Sequence, residues 1–175
     1  MTLNIPVVAF SAWSGTGKTT IIEQLVRQFK AAGIRTAVVK HDAHDFEIDR
    51  EGKDSWKFSE AGADMVILSS DRKTVIMEQR HLELKEVLAA VHDVDIIFVE
   101  GYNDSILPRI GISRIATGTG FRLPVSEYIA VITDEVPIPD SDDGQRVSEP
   151  EIPTFALDDI EGIAAFIRAR FIKTE

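Results

Sequence analysis

Val7-Val8-Ala9-Phe10-Ser11-Ala12-Trp13-Ser14-Gly15-Thr16-Gly17-Lys18-Thr19-Thr20 decides how this chain is read. An apolar run of strand type passes directly into a glycine-bearing turn and then into a helix. Backbone N–H groups from Ser14 to Thr19 can wrap a phosphate. Gly15 and Gly17 permit a partly left-handed path and a close approach of backbone to ligand. Lys18 reaches phosphate oxygens as a point charge, the Thr19 hydroxyl suits a magnesium ion, and the helix that follows, with Thr20 in its first turn, turns its positive end to the anion. The pattern G-x-x-x-x-G-K-[ST] departs at its first position, where Ala12 stands. Alanine is acceptable there provided φ is negative.

Outward from this loop, Ile5 to Phe10 reads as a buried parallel strand. Lys18 to Ala32 reads as a helix, with Ile22, Leu25, Val26 and Phe29 on one face and Gly33 as its stop. Thr36 to Lys40 is the second strand, so the unit is a right-handed crossover in a parallel sheet. Ser55 to Ala61 is a short helix. Asp64 to Ser69 and Thr74 to Glu78 form a small hairpin across Asp71-Arg72, and Leu82 to Val91 is a second amphipathic helix. Asp95 to Glu100, Ile110 to Ser113, Tyr128 to Thr133 and Phe155 to Leu157 are further strands. Pro137 to Glu149 is acidic and proline-containing, and is expected to be disordered. Asp158 is expected to cap a last helix striped by Ile160, Ile163, Ala164, Ile167 and Phe171, with Glu161 completing a capping box. The alternation gives an α/β fold: one P-loop nucleotide-binding domain over residues 1–175, with a mostly parallel central sheet flanked by helices.

The 175 residues suffice for a sizeable core, and 44% hydrophobic with 27% charged residues is ordinary for a globule. The formal charge of −10 opposes a nucleic-acid-binding surface. No apolar run reaches the ~18 residues of a membrane span. The start, Met1-Thr2-Leu3-Asn4, lacks a basic-then-apolar signal, and a cytoplasmic location is expected. With no cysteine, disulfides and thiolate metal sites are excluded.

A phosphate loop of this kind needs an acid at the end of a neighbouring buried strand to hold magnesium. Glu100 fits, after Ile96-Ile97-Phe98-Val99 and before Gly101, which permits a sharp exit. Thr19 and Glu100 are therefore the expected metal residues, and Glu100 is also a candidate catalytic residue. The polar stretch from His41 to Asp54 follows the carboxyl end of a strand, where open α/β sheets bind ligands. Asp42, Asp45 and Asp49 there suit a phosphate-sensing switch or a base, and Asp45 is the second catalytic candidate. Lys40 points at the same site. His41 and His44 suit nucleotide contacts or, with Asp42 and Asp45, a metal. A solvated charged loop is the plain alternative. Asp134, after Ala130-Val131-Ile132-Thr133, is either a guanine reader or a polar strand end.

Three segments together resemble one family: Phe10 to Thr20; Val39-Lys40-His41-Asp42-Ala43-His44-Asp45 with Gly52-Lys53-Asp54-Ser55 and Ala61-Gly62-Ala63; and Val99-Glu100-Gly101-Tyr102. The chain is similar to the MobB family of molybdopterin-guanine dinucleotide biosynthesis adaptors, and the likeness continues through Pro108-Arg109-Ile110 to the helix after Asp158. The resemblance implies GTP as bound nucleotide with Mg2+, weak hydrolysis, a homodimer, and help to the molybdenum cofactor guanylyltransferase that attaches GMP to molybdopterin. Molybdopterin as a bound ligand, and enzymes that use the molybdopterin cofactor as partners, belong to the same implication. Carried over by position, Gly15, Gly17, Lys18 and Thr19 hold phosphate and magnesium, Glu100 completes the metal site, and Lys40, His41, His44 and Asp45 line it, with Asp49 and Gly52 to Ser55 beside it. Departures are Asp42-Ala43, where the family has Thr-His or a similar pair, and Asn103, where it usually has lysine.

Two other classes compete. A small-molecule kinase would use Asp42 or Asp45 as base and Arg109, Arg114 or Arg122 as phosphate clamps. Its lid would have to be Ser113 to Phe121, which holds a single arginine, Arg114. A metal-delivery GTPase would use His41 and His44, but the chain has no Cys/His-rich tract.

Overall fold

The structure is a computed structural model, and it describes residues 5–41, 46, 48–103, 105–135, 138–139, 146–147 and 152–172. The chain falls into two compact units, Met1–His41 with Leu88–Glu175, and Asp42–Val87.

In the first unit, β1 (Val7–Ser11) runs into α1 (Lys18–Ala31), which returns to β2 (Thr36–Lys40). After the second unit, which holds α2 (Asp54–Glu60), β3 (Met65–Ser69) and β4 (Thr74–Glu78), α3 (Leu84–Ala89) leads back to β5 (Ile96–Glu100) and β6 (Arg109–Ser113). Then come β7 (Ala130–Thr133), the two-residue pair β8 (Ile138–Pro139) and β9 (Arg146–Val147), β10 (Thr154–Phe155) and α4 (Ile160–Phe171). Six strands make one sheet in the order β10-β7-β6-β1-β5-β2. Every pairing in it is parallel. The expected strands and helices all occur, with ends shifted by a residue or two. Within 137–149, where disorder was expected, β8 and β9 pair antiparallel.

The apolar run before the loop becomes the centre of the sheet: every residue of β1 is buried. One sheet face carries Val8, Phe10, Ile96, Phe98, Ile110 and Ile112, packed against Ile21, Ile22, Leu25 and Phe29 of α1 and Ile160, Ile163, Ala164 and Ile167 of α4. Phe98 is gripped edge-on by Phe10 and Phe29, at centroid distances of 5.6 and 5.2 Å. Each such buried side chain stabilises the fold by about 1.5–3 kcal/mol. The stripes expected on both helices are those that pack. On α1, Ile21 joins the buried set and Val26 packs at its margin.

The cap of α4 falls one residue later than expected. Asp159 Oδ1 accepts from the Gly162 N–H at 2.9 Å. A Cβ at position 162 would overlap that carboxylate, so glycine lets the cap close. Because the third helical residue is Gly162, no capping box forms and Asp158 is left without the capping role.

In the second unit β3 and β4 pair antiparallel, as expected, with Ile67 opposite Ile76 and Met65 opposite Glu78. Met65, Ile67 and Ile76 of one face are 47%, 56% and 60% exposed.

Candidate functional site

The loop after β1 takes the path its sequence requires. Gly15 and Gly17 have φ of 79° and 94°. Ala12 is buried in the core cluster and is not among the positive-φ residues, which is why alanine replaces the first glycine of the pattern without strain. The Thr16 hydroxyl donates to the Trp13 carbonyl at 2.7 Å and closes the turn. At the N-terminus of α1, Gly17 offers no side-chain cap and the first turn holds no acid. The free N–H groups and the positive end of the helix are therefore open to an anion.

Glu100 meets the loop at the tip of β5. The Thr19 hydroxyl donates to its carboxylate, with Oγ1 3.2 and 3.3 Å from the two oxygens, and Lys18 Nζ stands 3.7 Å from Oε1. Parallel pairing of β1 with β5 sets Phe10 beside Glu100, so the acid ends level with the start of the loop. Glu100 is 8% exposed, and a carboxylate so buried needs the partners it has. Hydroxyl and carboxylate oxygens side by side are a hard donor set of the kind magnesium accepts.

The exit from β5 is shaped by Gly101, whose φ is 93° and whose absent Cβ would lie 3.0 Å from both Cβ and O of His41. The His41 N–H donates to the Glu100 carbonyl at 2.8 Å, and its ring stacks on Tyr102 with centroids 4.4 Å apart. Lys40 pairs in register with Glu100 on the neighbouring strand and is exposed. Asn103, noted in the sequence as a departure, accepts from the Ser11 hydroxyl at Oδ1, 3.4 Å away. Its backbone carbonyl, which any residue would present, accepts from the buried Arg109 at 2.5 Å, so the loop after β5 is tied to β6 by its backbone and to β1 by the asparagine side chain.

Ser14 to Thr20, Lys40, His41 and Glu100 thus gather at the carboxyl ends of β1, β2 and β5. Asp42, His44 and Asp45 lie outside the described residues. Asp49 and Gly52 to Ser55 belong to the second unit. Asp134 accepts from the Ile115 N–H at 2.8 Å and so fixes the single helical turn 115–117 that follows Arg114. Two arginines, singled out above only for a kinase, flank the loop. Arg114 Nη1 is 3.8 Å from where a Cβ of Gly17 would be, and the Arg122 guanidinium lies 5.1 Å from the centre of the Trp13 ring. Neither position is signalled by local sequence, because both depend on how the segment after β6 folds back. Among the described residues no cluster of three or more His, Asp or Glu side chains forms a metal site. No described helix is long and apolar enough to cross a membrane.

A family model described as "Molybdopterin guanine dinucleotide synthesis protein B" matches residues 7–134. The chain is 32% identical over 173 residues to the molybdopterin-guanine dinucleotide biosynthesis adapter protein of Escherichia coli K12, covering 93% of this chain and 91% of the relative. It is 34% identical over 143 residues to the Haemophilus influenzae adapter protein, 79% of each chain. In three dimensions it matches the crystal structure of Bacillus subtilis MobB with a TM-score of 0.73 at 22% identity, over 98% of this chain and 100% of that one, a likeness of fold. A crystal structure of a molybdopterin-guanine biosynthesis protein B matches with a TM-score of 0.66 at 25% identity, over 95% and 99%.

Proposed function

This chain belongs to the molybdopterin guanine dinucleotide synthesis protein B family, and on that premise we propose that it is a GTP-binding adaptor that assists guanylyl transfer to molybdopterin. Its role in molybdenum cofactor biosynthesis follows from the family. The nucleotide, the metal, slow hydrolysis and the partner are the reading put forward here.

The observation that carries it is the placing of Glu100 against Thr19 and Lys18 at 3.2, 3.3 and 3.7 Å. The loop N–H groups bind the β-phosphate, Lys18 leaves Glu100 for the β- and γ-phosphate oxygens, and the Thr19 hydroxyl and Glu100 would hold Mg2+. The charge that such an ion would supply offsets that of the phosphates. Lys40 and His41 line the γ-phosphate side, and His44 and Asp45 are assigned to the same side. Asp45 or Glu100 orients the attacking water, and slow turnover suits an adaptor whose state is set by the nucleotide it holds. A carboxylate near the loop reads the base; Asp134, expected in that role, is engaged with the Ile115 N–H. The chain acts as a homodimer, and the apolar face of Met65, Ile67 and Ile76 supports pairing through the hairpin, since exposed apolar strands with open edges are templates for association.

Thermal-shift titration with GTP, GDP and ATP, followed by product analysis with molybdopterin and the guanylyltransferase present, tests the reading. Selective stabilisation by GTP with Mg2+ and more molybdopterin guanine dinucleotide formed is expected. Selective ATP binding, with phosphate passed to a small acceptor, would replace it with the kinase.

A further inference from the structure

We infer that the guanine ring of the bound nucleotide lies in the groove between α1 and the turn after β10, with Asp158 reading its Watson–Crick edge. The inference rests on the nucleotide reading above. The groove encloses about 240 Å3 and is lined by Gly17, Thr20, Ile21, Arg114, Leu157 and Asp158, among others. Gly17 belongs to the phosphate loop and to the groove alike, so a nucleotide whose β-phosphate lies in the loop has its nucleoside within reach of this space. The volume is below the ~300–1,000 Å3 of a site that swallows a whole drug-sized ligand. It suits one ring system, with ribose and phosphates lying outside it along the loop.

The lining fits a purine. Leu157 offers apolar surface to the ring, and Ile21, only 4% exposed, adds little to it. Arg114 stands at the phosphate end, with Nη1 3.8 Å from the Cβ position of Gly17, and Asp158 is the one carboxylate in the lining. Asp158 is exposed, and its side chain has neither a hydrogen bond nor an ion pair among the described residues, because Asp159 performs the capping of α4. Arg114 and Asp158 both line the groove, and no ion pair joins them among the described residues. Asp134, by contrast, accepts from the Ile115 N–H at Oδ1 and is not among the lining residues. Its part is to position the segment that carries Arg114.

The chemistry then separates the bases. Guanine presents two donors, N1–H and the exocyclic amine at C2, to one carboxylate. Adenine presents an acceptor at N1 and nothing at C2, leaving the carboxylate facing a lone pair. A site built for hydrogen-bond donors rejects a ligand that lacks them. Arg114, at the phosphate end, contributes to GTP and ATP alike.

The test is equilibrium binding of GTP, ATP and xanthosine triphosphate, with Mg2+, to the full chain and to its Asp158→Ala, Asp158→Asn and Asp134→Asn variants. The wild type should prefer GTP to ATP by roughly tenfold or more. Asp158→Ala should bring that ratio near unity with ATP affinity unchanged. Asp158→Asn should prefer xanthosine triphosphate, whose C2 carbonyl accepts from the new amide. Wild-type preference retained in both Asp158 variants, or a switch carried by Asp134→Asn, would overturn the inference. Equal wild-type affinity for GTP and ATP would overturn it while leaving the phosphate site standing, whereas no binding of any of the three would remove the nucleotide reading itself.

Discussion

Glu100 accepts from the Thr19 hydroxyl, with Oγ1 3.2 and 3.3 Å from its two carboxylate oxygens, across 81 residues of sequence. Replacing one carboxylate oxygen by an amide keeps the shape and removes the charge that Lys18 and a bound cation need. Glu100→Gln should therefore reduce Mg2+-dependent hydrolysis much more than nucleotide affinity, since the loop N–H groups still hold the phosphates. Calorimetric titrations with Mg2+ and with EDTA check this. Equal losses in both would give Glu100 a purely structural role.

Gly101 is the hinge between that acid and His41. With φ of 93° and a missing Cβ 3.0 Å from His41, alanine there meets both backbone strain and a clash. Strain of this kind costs about 1–3 kcal/mol. Gly101→Ala should lower the urea midpoint accordingly and weaken nucleotide binding by displacing His41. An unchanged midpoint would contradict the close packing.

Tyr128 carries a dependence on alkaline pH. Its ring lies 2.7–2.9 Å from the Cβ position of Gly111, and its hydroxyl accepts from the Leu123 N–H at 2.9 Å. Burial pushes its phenol above the usual tyrosine range, only partly offset by hydrogen bonds with Ser11 and Leu123. The native state thus favours the neutral phenol and the unfolded chain ionises first. The contribution is fully present below the ordinary value of about 10 and is lost as pH rises through the raised native value. Tyr128→Phe should cost about 0.5–1.5 kcal/mol at neutral pH and flatten the alkaline fall in stability. Denaturation curves between neutral pH and alkaline pH would show it, and an identical alkaline fall in the variant would refute it.

The proposed homodimer should depend on the hairpin. Ile67 and Ile76 lie opposite each other on one face and are both more than half exposed. A charge at either place would be desolvated on pairing. Ile76→Asp should shift light-scattering mass from dimer to monomer over a micromolar dilution series, with unchanged circular dichroism. A monomeric wild type, or a variant as dimeric as the wild type, would place assembly elsewhere or remove it.

The parts of the site legible in the sequence are those built by contiguous residues. Gly15 and Gly17 mark the turn because only glycine takes their φ freely, and Ile96 to Val99 followed by Glu100-Gly101 marks a buried strand with an acid at its tip. The pairing of these two segments followed from the general position of a metal-site acid. What local pattern did not reveal comes from chain segments meeting in space. Arg114 reaches Gly17 through a helical turn that no periodicity announces, and Arg122 meets Trp13 in the same way. The choice between Asp158 and Asp159 as cap turns on one residue, which is below the precision with which helix ends are read. That single step decides which carboxylate is left free for the groove. The positions of Arg109 and Asn103 as mutual supports were likewise invisible, since a buried arginine bound to a carbonyl has no sequence signature.

Assistance to guanylyl transfer through a nucleotide held at Lys18 is open to a reconstituted transferase assay. Purified guanylyltransferase, molybdopterin, GTP and Mg2+ are combined with wild-type protein or with Lys18→Ala, and GMP incorporation is followed. Loss of the charged contact should cost ~1.5–3 kcal/mol, roughly ten- to a hundredfold in nucleotide affinity. The wild type should raise the yield of molybdopterin guanine dinucleotide, and Lys18→Ala should do so weakly or not at all. Equal stimulation by both proteins, or none by the wild type, would contradict it.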